Sequence, residues 1–186
     1  MTLIAVHPGR LRDAAEQIER STGLRVQIIG GSLVMSPTPR GKRAGAIRRL
    51  RGHLEPHLPP GLGTYEVSSV AMPDDEDDYA TPDLVVLPVD WEEDDAWLAD
   101  PRDAALAVEV ISSSERARDI GNKTDWYATA GVALLLAVDP RHATWTLYSH
   151  PRDGAYQGVL KGAFGDEVPL PPPLPAALPT GDLPRY

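Results

Sequence analysis

The sequence predicts an α/β fold, and three observations predict it. Residues 84–87, 106–111 and 134–138 are near-continuous apolar runs of strand length, the pattern of strands buried on both faces. Between the second and third lies a helical pattern over about 115–130, closed by Gly131. Near the N-terminus, apolar-rich runs at 24–29 and 32–36 flank Gly30-Gly31, a strong hairpin signal because both central positions of so tight a turn need positive φ.

In chain order, residues 8–21 predict a helix, with Pro8 in its first turn, Leu11, Ala14, Ala15 and Ile18 on one face, and Gly23 as its stop. The hairpin follows. Pro37, Pro39 and Gly41 break the chain before a second helix over about 40–58, with Ala44, Ile47, Leu50, Leu54 and Leu58 as its apolar stripe. Arg40, Lys42, Arg43, Arg48, Arg49 and Arg51 cover much of the remainder, either as a solvated face or as a contact for a phosphate backbone. Residues 64–72 predict a strand. The acidic runs 74–78 and 90–95 predict solvated loops. Ser112, Ser113 and Ser114 offer caps for the helix that follows. Residues 143–149 and 155–161 alternate as strands around an Asp153-Gly154 turn, and the tail over 168–185, with seven prolines, predicts an extended surface segment.

A chain of 186 residues predicts a single domain able to bury a continuous core. It has no cysteine, which removes disulfides and thiolate metal sites and fits a reducing cytoplasm. No apolar window suggests a signal peptide or a membrane span. The net charge of −9 argues against strong non-specific nucleic-acid binding, but the charge is unevenly spread. Residues 1–60 hold 10 Lys and Arg against 4 Asp and Glu, whereas residues 61–186 hold 8 against 23.

The chemistry concentrates in residues 81–140. Asp83 opens one buried strand, and Glu109 interrupts another. An ionised carboxylate buried without a partner costs several kcal/mol, so Glu109 requires a cation or a hydrogen-bond donor. Lys123, Arg118 and a metal ion all qualify. If the two strands are neighbours, Asp83 and Glu109 can share one oxygen-ligated Mg²⁺ or Mn²⁺, an ion able to activate water and stabilise a transferring phosphoryl group. The alternative is a buried ion pair that only fixes the helix on the sheet. His53 and His57, spaced i, i+4, read as surface histidines. No Gly-x-Ser-x-Gly elbow and no phosphate-cradling Gly-x-x-x-x-Gly-Lys loop is present.

Four segments taken together, Pro-Asp-Leu-Val-Val (82–86), Val-Glu-Val-Ile-Ser-Ser-Ser (108–114), Arg-Asp-x-x-x-Lys-x-x-x-Tyr-Ala-x-x-Gly-Val (118–132) and Val-Asp-Pro (138–140), resemble the Uma-type putative restriction endonuclease family of the PD-(D/E)xK nuclease-like superfamily. Residues 27–37 look like the same family's opening hairpin, so the resemblance covers roughly 24–161. It implies a restriction-endonuclease-like core, a mixed β-sheet flanked by helices, with an N-terminal helix and β-hairpin. It implies Mg²⁺-dependent (or Mn²⁺-dependent) hydrolysis of DNA phosphodiester bonds. Asp83, Glu109 and Lys123 are then catalytic, Asp83, Glu109 and Val110 hold the metal, and Asp119 and Gln27 support. Cutting both strands is simplest with two sites, so a homodimer is expected. The usual superfamily lysine, two residues after the acid, is Ile111 here; the resemblance displaces it to Lys123, whose long stem can reach the same point. Gln27 stands where the family hairpin usually carries Glu, Leu135 and Leu136 replace an aromatic pair, and Lys42 stands near the place of a common His. The alternative function is a non-catalytic nucleic-acid-binding or scaffold protein on the same fold.

Overall fold

The computed structural model describes residues 9–36, 38–93 and 95–186. The expected roles of Pro8, Pro37 and Asp94 lie outside the described residues. Helix α1 (Arg10–Thr22) ends at Gly23, whose φ of 69° is left-handed. It leads into β1 (Arg25–Ile29) and β2 (Ser32–Ser36). Their turn is the Gly30-Gly31 pair, with φ of 56° and 70°, as two adjacent positive-φ positions require.

Helix α2 (Gly41–Leu54) gives way at Pro56 to a short 3₁₀ turn, Glu55–His57, so it stops short of Leu58. Its buried stripe is Ala46, Ile47, Leu50 and Leu54, while Ala44 stays exposed. The strand expected over 64–72 is two strands. β3 (Leu62–Tyr65) and β4 (Ser69–Ala71) join different sheets, and the chain passes between them through Val67 at φ 60°. Then come β5 (Tyr79–Ala80), β6 (Leu84–Pro88), β7 (Leu98–Ala99) and β8 (Leu106–Val110). Helix α3 (Ala117–Ala130) caps at Gly131 in the left-handed region. The chain continues through β9 (Leu134–Asp139), β10 (Thr144–Arg152), β11 (Ala155–Ala163), β12 (Val168–Pro169) and β13 (Ala177–Leu178).

Six strands form the main sheet in the order β11-β10-β9-β8-β6-β3, with β8 and β9 parallel and every other pair antiparallel. Side chains alternate between its faces. Leu84, Val86, Leu106, Val108, Val110, Leu134, Leu136 and Val138 point to one face, where they meet Ile47, Leu50 and Leu54 of α2. Val85, Leu87, Ala107 and Leu135 point to the other, where they meet Trp126, Tyr127 and Ala130 of α3 and part of a second sheet, ordered β2-β1-β5-β4-β7. The fold is therefore a mixed sheet flanked by helices, with the N-terminal helix and hairpin on the second sheet.

Two expectations fail here. The tail is not a surface segment. Val168, Leu170, Leu174, Leu178 and Leu183 are buried against the α2 face, and β12 pairs with β13. A proline-rich stretch loses little chain entropy on ordering, and leucines between the prolines supply the apolar surface that docks it. Nor is the first acidic run merely solvated. Asp77 accepts hydrogen bonds from the Gly9 and Arg12 N–H groups at the start of α1, both at 3.1 Å. Asp78, buried, accepts from Gly30 N at 2.6 Å and Gly31 N at 2.9 Å, which ties the hairpin turn to the loop before β5. Backbone N–H groups at a helix start and in a tight turn need acceptors, and these carboxylates supply them.

Candidate active site

Alternation along β8 decides where Glu109 goes. Its neighbours Val108 and Val110 face α2, so Glu109 faces α3. The antiparallel register sets Leu84 opposite Val108 and Val85 opposite Ala107. Continued one step, it sets Asp83 opposite Glu109. Asp83 is anchored there from its backbone and its side chain: its N–H donates to Val108 O at 3.0 Å, and its Oδ2 accepts from Val110 N at 2.8 Å. Both carboxylates are buried, Asp83 at 3% exposure and Glu109 at 7%.

Helix α3 supplies the partners of Glu109. Lys123 and Tyr127 are four residues apart, one helical turn, and so share a face. Lys123 Nζ donates to Glu109 Oε2 at 3.0 Å, and Tyr127 Oη donates to Glu109 Oε1 at 2.8 Å. Glu115, just before the helix, lies 3.6 Å from the same ammonium. Burial pushes the Glu109 carboxyl above its ordinary value, and the Lys123 charge pulls it partly back. Burial alone would depress Lys123, but Glu109 and Glu115 outweigh it and hold the ammonium above its ordinary 10.5. Burial, then the charge of Glu109, raises Tyr127 far enough that it stays a proton donor.

Helix α2 supplies the partner of Asp83. Arg43, in its first turn, places Nη2 3.0 Å from Oδ1 and 2.9 Å from Oδ2, with Nε 3.3 Å from Oδ2. Arg25, at the start of β1, stands 3.6 Å from Oδ1. Burial lowers the Arg43 pKa, and Asp83 more than restores it.

The three residues expected to be catalytic are thus brought together, and the displaced lysine reaches the acid. Ile111, at the usual lysine position, donates its N–H to Val138 O and ends the strand. Arg118 does not touch Glu109; it pairs loosely with Asp119 at 3.7 Å. Gln27 is buried and its Oε1 accepts from Thr81 N at 3.0 Å, which fixes the approach to Asp83. His53 and His57 do not act as a pair, since His53 Nε2 meets Asp182 and His57 Nδ1 meets the His53 carbonyl.

Sequence reasoning missed Arg43, Arg25, Tyr127 and Glu115 as members of the cluster. Tyr127 was legible from its i, i+4 spacing to Lys123; Glu115 accepts from the Ser112 N–H at 3.2 Å in the loop before α3, whose N-cap is Arg116 rather than one of the serines expected to cap it. Nothing local separates Arg43 from the other basic residues of α2.

Arg43, Glu115 and Lys123 of the cluster line an open cleft of about 950 Å³, and Asp83 and Glu109 lie buried against Arg43 and Lys123, outside its lining. The cleft walls are β2, the start of α2 and the start of α3. Arg40, Lys42, Arg43, Arg118 and Lys123 line it, against two acids, Glu115 and Asp119. Only part of the basic face of α2 looks into the cleft. Arg49 pairs with Asp182 at 3.6 Å, and Arg51 lies 3.9 Å from Glu55 and 3.6 Å from Glu66.

The carboxylates of Asp83 and Glu109 with a peptide carbonyl at Val110 are hard oxygen donors, the right type for Mg²⁺ or Mn²⁺. Their arrangement is not right. All four carboxylate oxygens already accept from the chain's own donors, and Arg25, Arg43 and Lys123 balance Asp83, Glu109 and Glu115 charge for charge. Among the described residues no cluster of three or more His, Asp or Glu is arranged to hold a metal ion. As arranged, the site does not fit a divalent cation.

The crystal structure of a putative nuclease of the DUF820 group from Anabaena variabilis ATCC 29413 is similar in fold, with a TM-score of 0.65 over 81% of this chain and 83% of that one, at 16% identity. No curated protein sequence matches the chain. The sequence matches the Uma2 family, described as putative restriction endonuclease, over residues 12–180. That span contains both sheets and every residue of the ion cluster, and the chain belongs to the Uma2 putative restriction endonuclease family.

Proposed function

We propose that the protein is a DNA nuclease that takes a phosphodiester backbone into the cleft. The observation that carries this is the convergence of Asp83 and Glu109 with Lys123 at a cleft that Lys123 lines and whose charged lining is mostly basic, in a chain that is acidic overall. The first turns of α2 and α3 both line the cleft, so their N-terminal dipoles add to the field of Arg40, Lys42 and Arg118. These groups contact and orient a backbone phosphate. Lys123, with its ammonium fixed by Glu109 and Glu115, stabilises charge on a phosphoryl group in the cleft. Divalent-ion chemistry at Asp83 and Glu109 requires Arg43 to leave Asp83 first.

One observation favours a second reading, non-catalytic DNA binding on a nuclease fold: every oxygen of the acidic pair is already held. Nicking of a supercoiled plasmid, with and without Mg²⁺ or Mn²⁺, separates the two. A nuclease nicks the plasmid, and Glu109→Gln and Lys123→Ala abolish nicking while still retarding DNA in a salt-dependent way. Plasmid retarded but never nicked supports the second reading. Plasmid neither retarded nor nicked overturns both.

A further inference from the structure

We infer that the Arg43 guanidinium is the resident cation of this site, standing on Asp83 where a divalent ion would have to sit, and that removing it creates a divalent-cation site at Asp83 and Glu109. The inference does not depend on what the cleft binds. It rests on three observations.

The first is occupancy. Arg43 Nη2 is 2.9 and 3.0 Å from the two oxygens of Asp83. A Mg²⁺ ion needs oxygens at about 2.0–2.1 Å in a near-octahedral set, so the ion and the guanidinium cannot hold the same carboxylate in these positions. Val110 N takes a further lone pair of Oδ2.

The second is charge. Three cations meet three anions in the cluster, all with side chains less than a fifth exposed. A divalent ion added here would leave two positive charges uncompensated in a poorly solvated place, which is unfavourable without further anions. Loss of Arg43 leaves the cluster with one net negative charge and takes the guanidinium off both oxygens of Asp83, leaving Val110 N on Oδ2 and Arg25 3.6 Å from Oδ1. Gln27 belongs to the same balance. Its amide, bonded to Thr81 N, adds no charge where an acid would.

The third is that Arg43 is held by design of the chain rather than by chance. It sits in the first turn of α2, and α2 is fixed by Ala46, Ile47, Leu50 and Leu54 against the sheet. The guanidinium fork matches a carboxylate bidentately, which a flexible ammonium does not. The side chain is 11% exposed and also lines the cleft.

Isothermal titration calorimetry with MnCl₂ on the full chain tests this, together with Mn²⁺ electron paramagnetic resonance at equimolar metal and protein. The wild-type chain is expected to leave the hexaaqua Mn²⁺ signal unchanged and to give no binding heat in the micromolar range. Arg43→Gln is expected to gain one Mn²⁺ site, about tenfold or more tighter than any wild-type binding, and Arg43→Gln/Asp83→Asn to lose it again. A wild-type chain that binds one Mn²⁺ and loses it on Asp83→Asn overturns the inference. So does a folded Arg43→Gln chain, checked by circular dichroism, that binds no Mn²⁺. If Arg43→Gln does not fold, the wild-type measurement with its Asp83→Asn control still decides. Because the readout is metal binding and not DNA cleavage, its failure is distinct from failure of the nuclease reading.

Discussion

The two faces of the six-stranded sheet are built from the same strands, one residue out of step, and they do different things. Along β6, β8 and β9 the even-numbered side chains make an unbroken apolar layer under α2 and the tail. The odd-numbered ones begin the same way, with Val85, Leu87, Ala107 and Leu135, and then switch at one end to Asp83 and Glu109. Period-two alternation therefore lets one strand serve as core and as site at once. The first face is held by area removed from water, which is diffuse and tolerant. The charged end of the second is held by paired charges, which are not tolerant, because removing one partner strands the other.

That difference is sharpest at Lys123. Lys123→Ala leaves Glu109 buried beside Asp83 with only Tyr127 as a donor, and the expected cost is about 3–5 kcal/mol at neutral pH. The pH dependence carries a sign. Burial raises Glu109 even with Lys123 in place, so without the ammonium it rises further. A carboxyl raised in the folded state favours folding below its unfolded value and disfavours it as pH climbs through the folded value. The variant should lose stability from acid towards neutral pH, relative to the wild type, in urea titrations across that range. A deficit that is flat with pH, or below about 1 kcal/mol, means that the pair is not what keeps Glu109 buried.

On the apolar face, Leu178→Ala should cost roughly 3 kcal/mol, since Leu178 is fully buried where the tail docks. Its cost should not vary with pH, which makes it the control for Lys123→Ala. Denaturation at two pH values checks this, and a surface segment would have shown almost no loss.

The framework was legible in sequence because its signals are local. Gly30-Gly31, Gly131 and the Asp153-Gly154 turn announce conformations that few other residues adopt, and buried strands announce themselves by unbroken apolar runs. Glu109 was legible as a residue in need of a partner, for the cost of burying it is a matter of chemistry alone. What sequence could not supply was which partner meets which acid. Arg43 reaches Asp83 across 40 residues, and Arg25 reaches it from another sheet. The buried tail was hidden for a related reason: prolines describe how a chain is extended, not what it lies against. The break at Val67 has no local signal either, because a valine with positive φ is a choice made by the two sheets it joins.

Asp139 gives the mildest test of the contrast and the one with opposite sign. It ends β9 beside the site, in a position where burial would raise it. Hydrogen bonds from Arg141 and His142 outweigh burial and hold it well below its ordinary 3.8. Arg141 also donates to the Glu115 carbonyl at 2.7 Å, so this ion pair steadies the segment that carries a partner of Lys123. A carboxylate depressed in the folded state contributes stability above its unfolded value and loses it as pH falls through the folded one. The wild type should therefore weaken below pH 3.8, and Asp139→Asn, which has no charge to lose, should show a flatter acid limb. At neutral pH the substitution should cost only on the order of 1 kcal/mol, since His142 is largely exposed and the pair is partly screened. Glu109 and Asp139 lie at the same end of two paired strands, yet one should set the response of a variant on the way up in pH and the other the response of the wild type on the way down. If Asp139→Asn instead reproduces the neutral-pH loss of Lys123→Ala, the two carboxylates are held by one network and the distinction drawn between them fails.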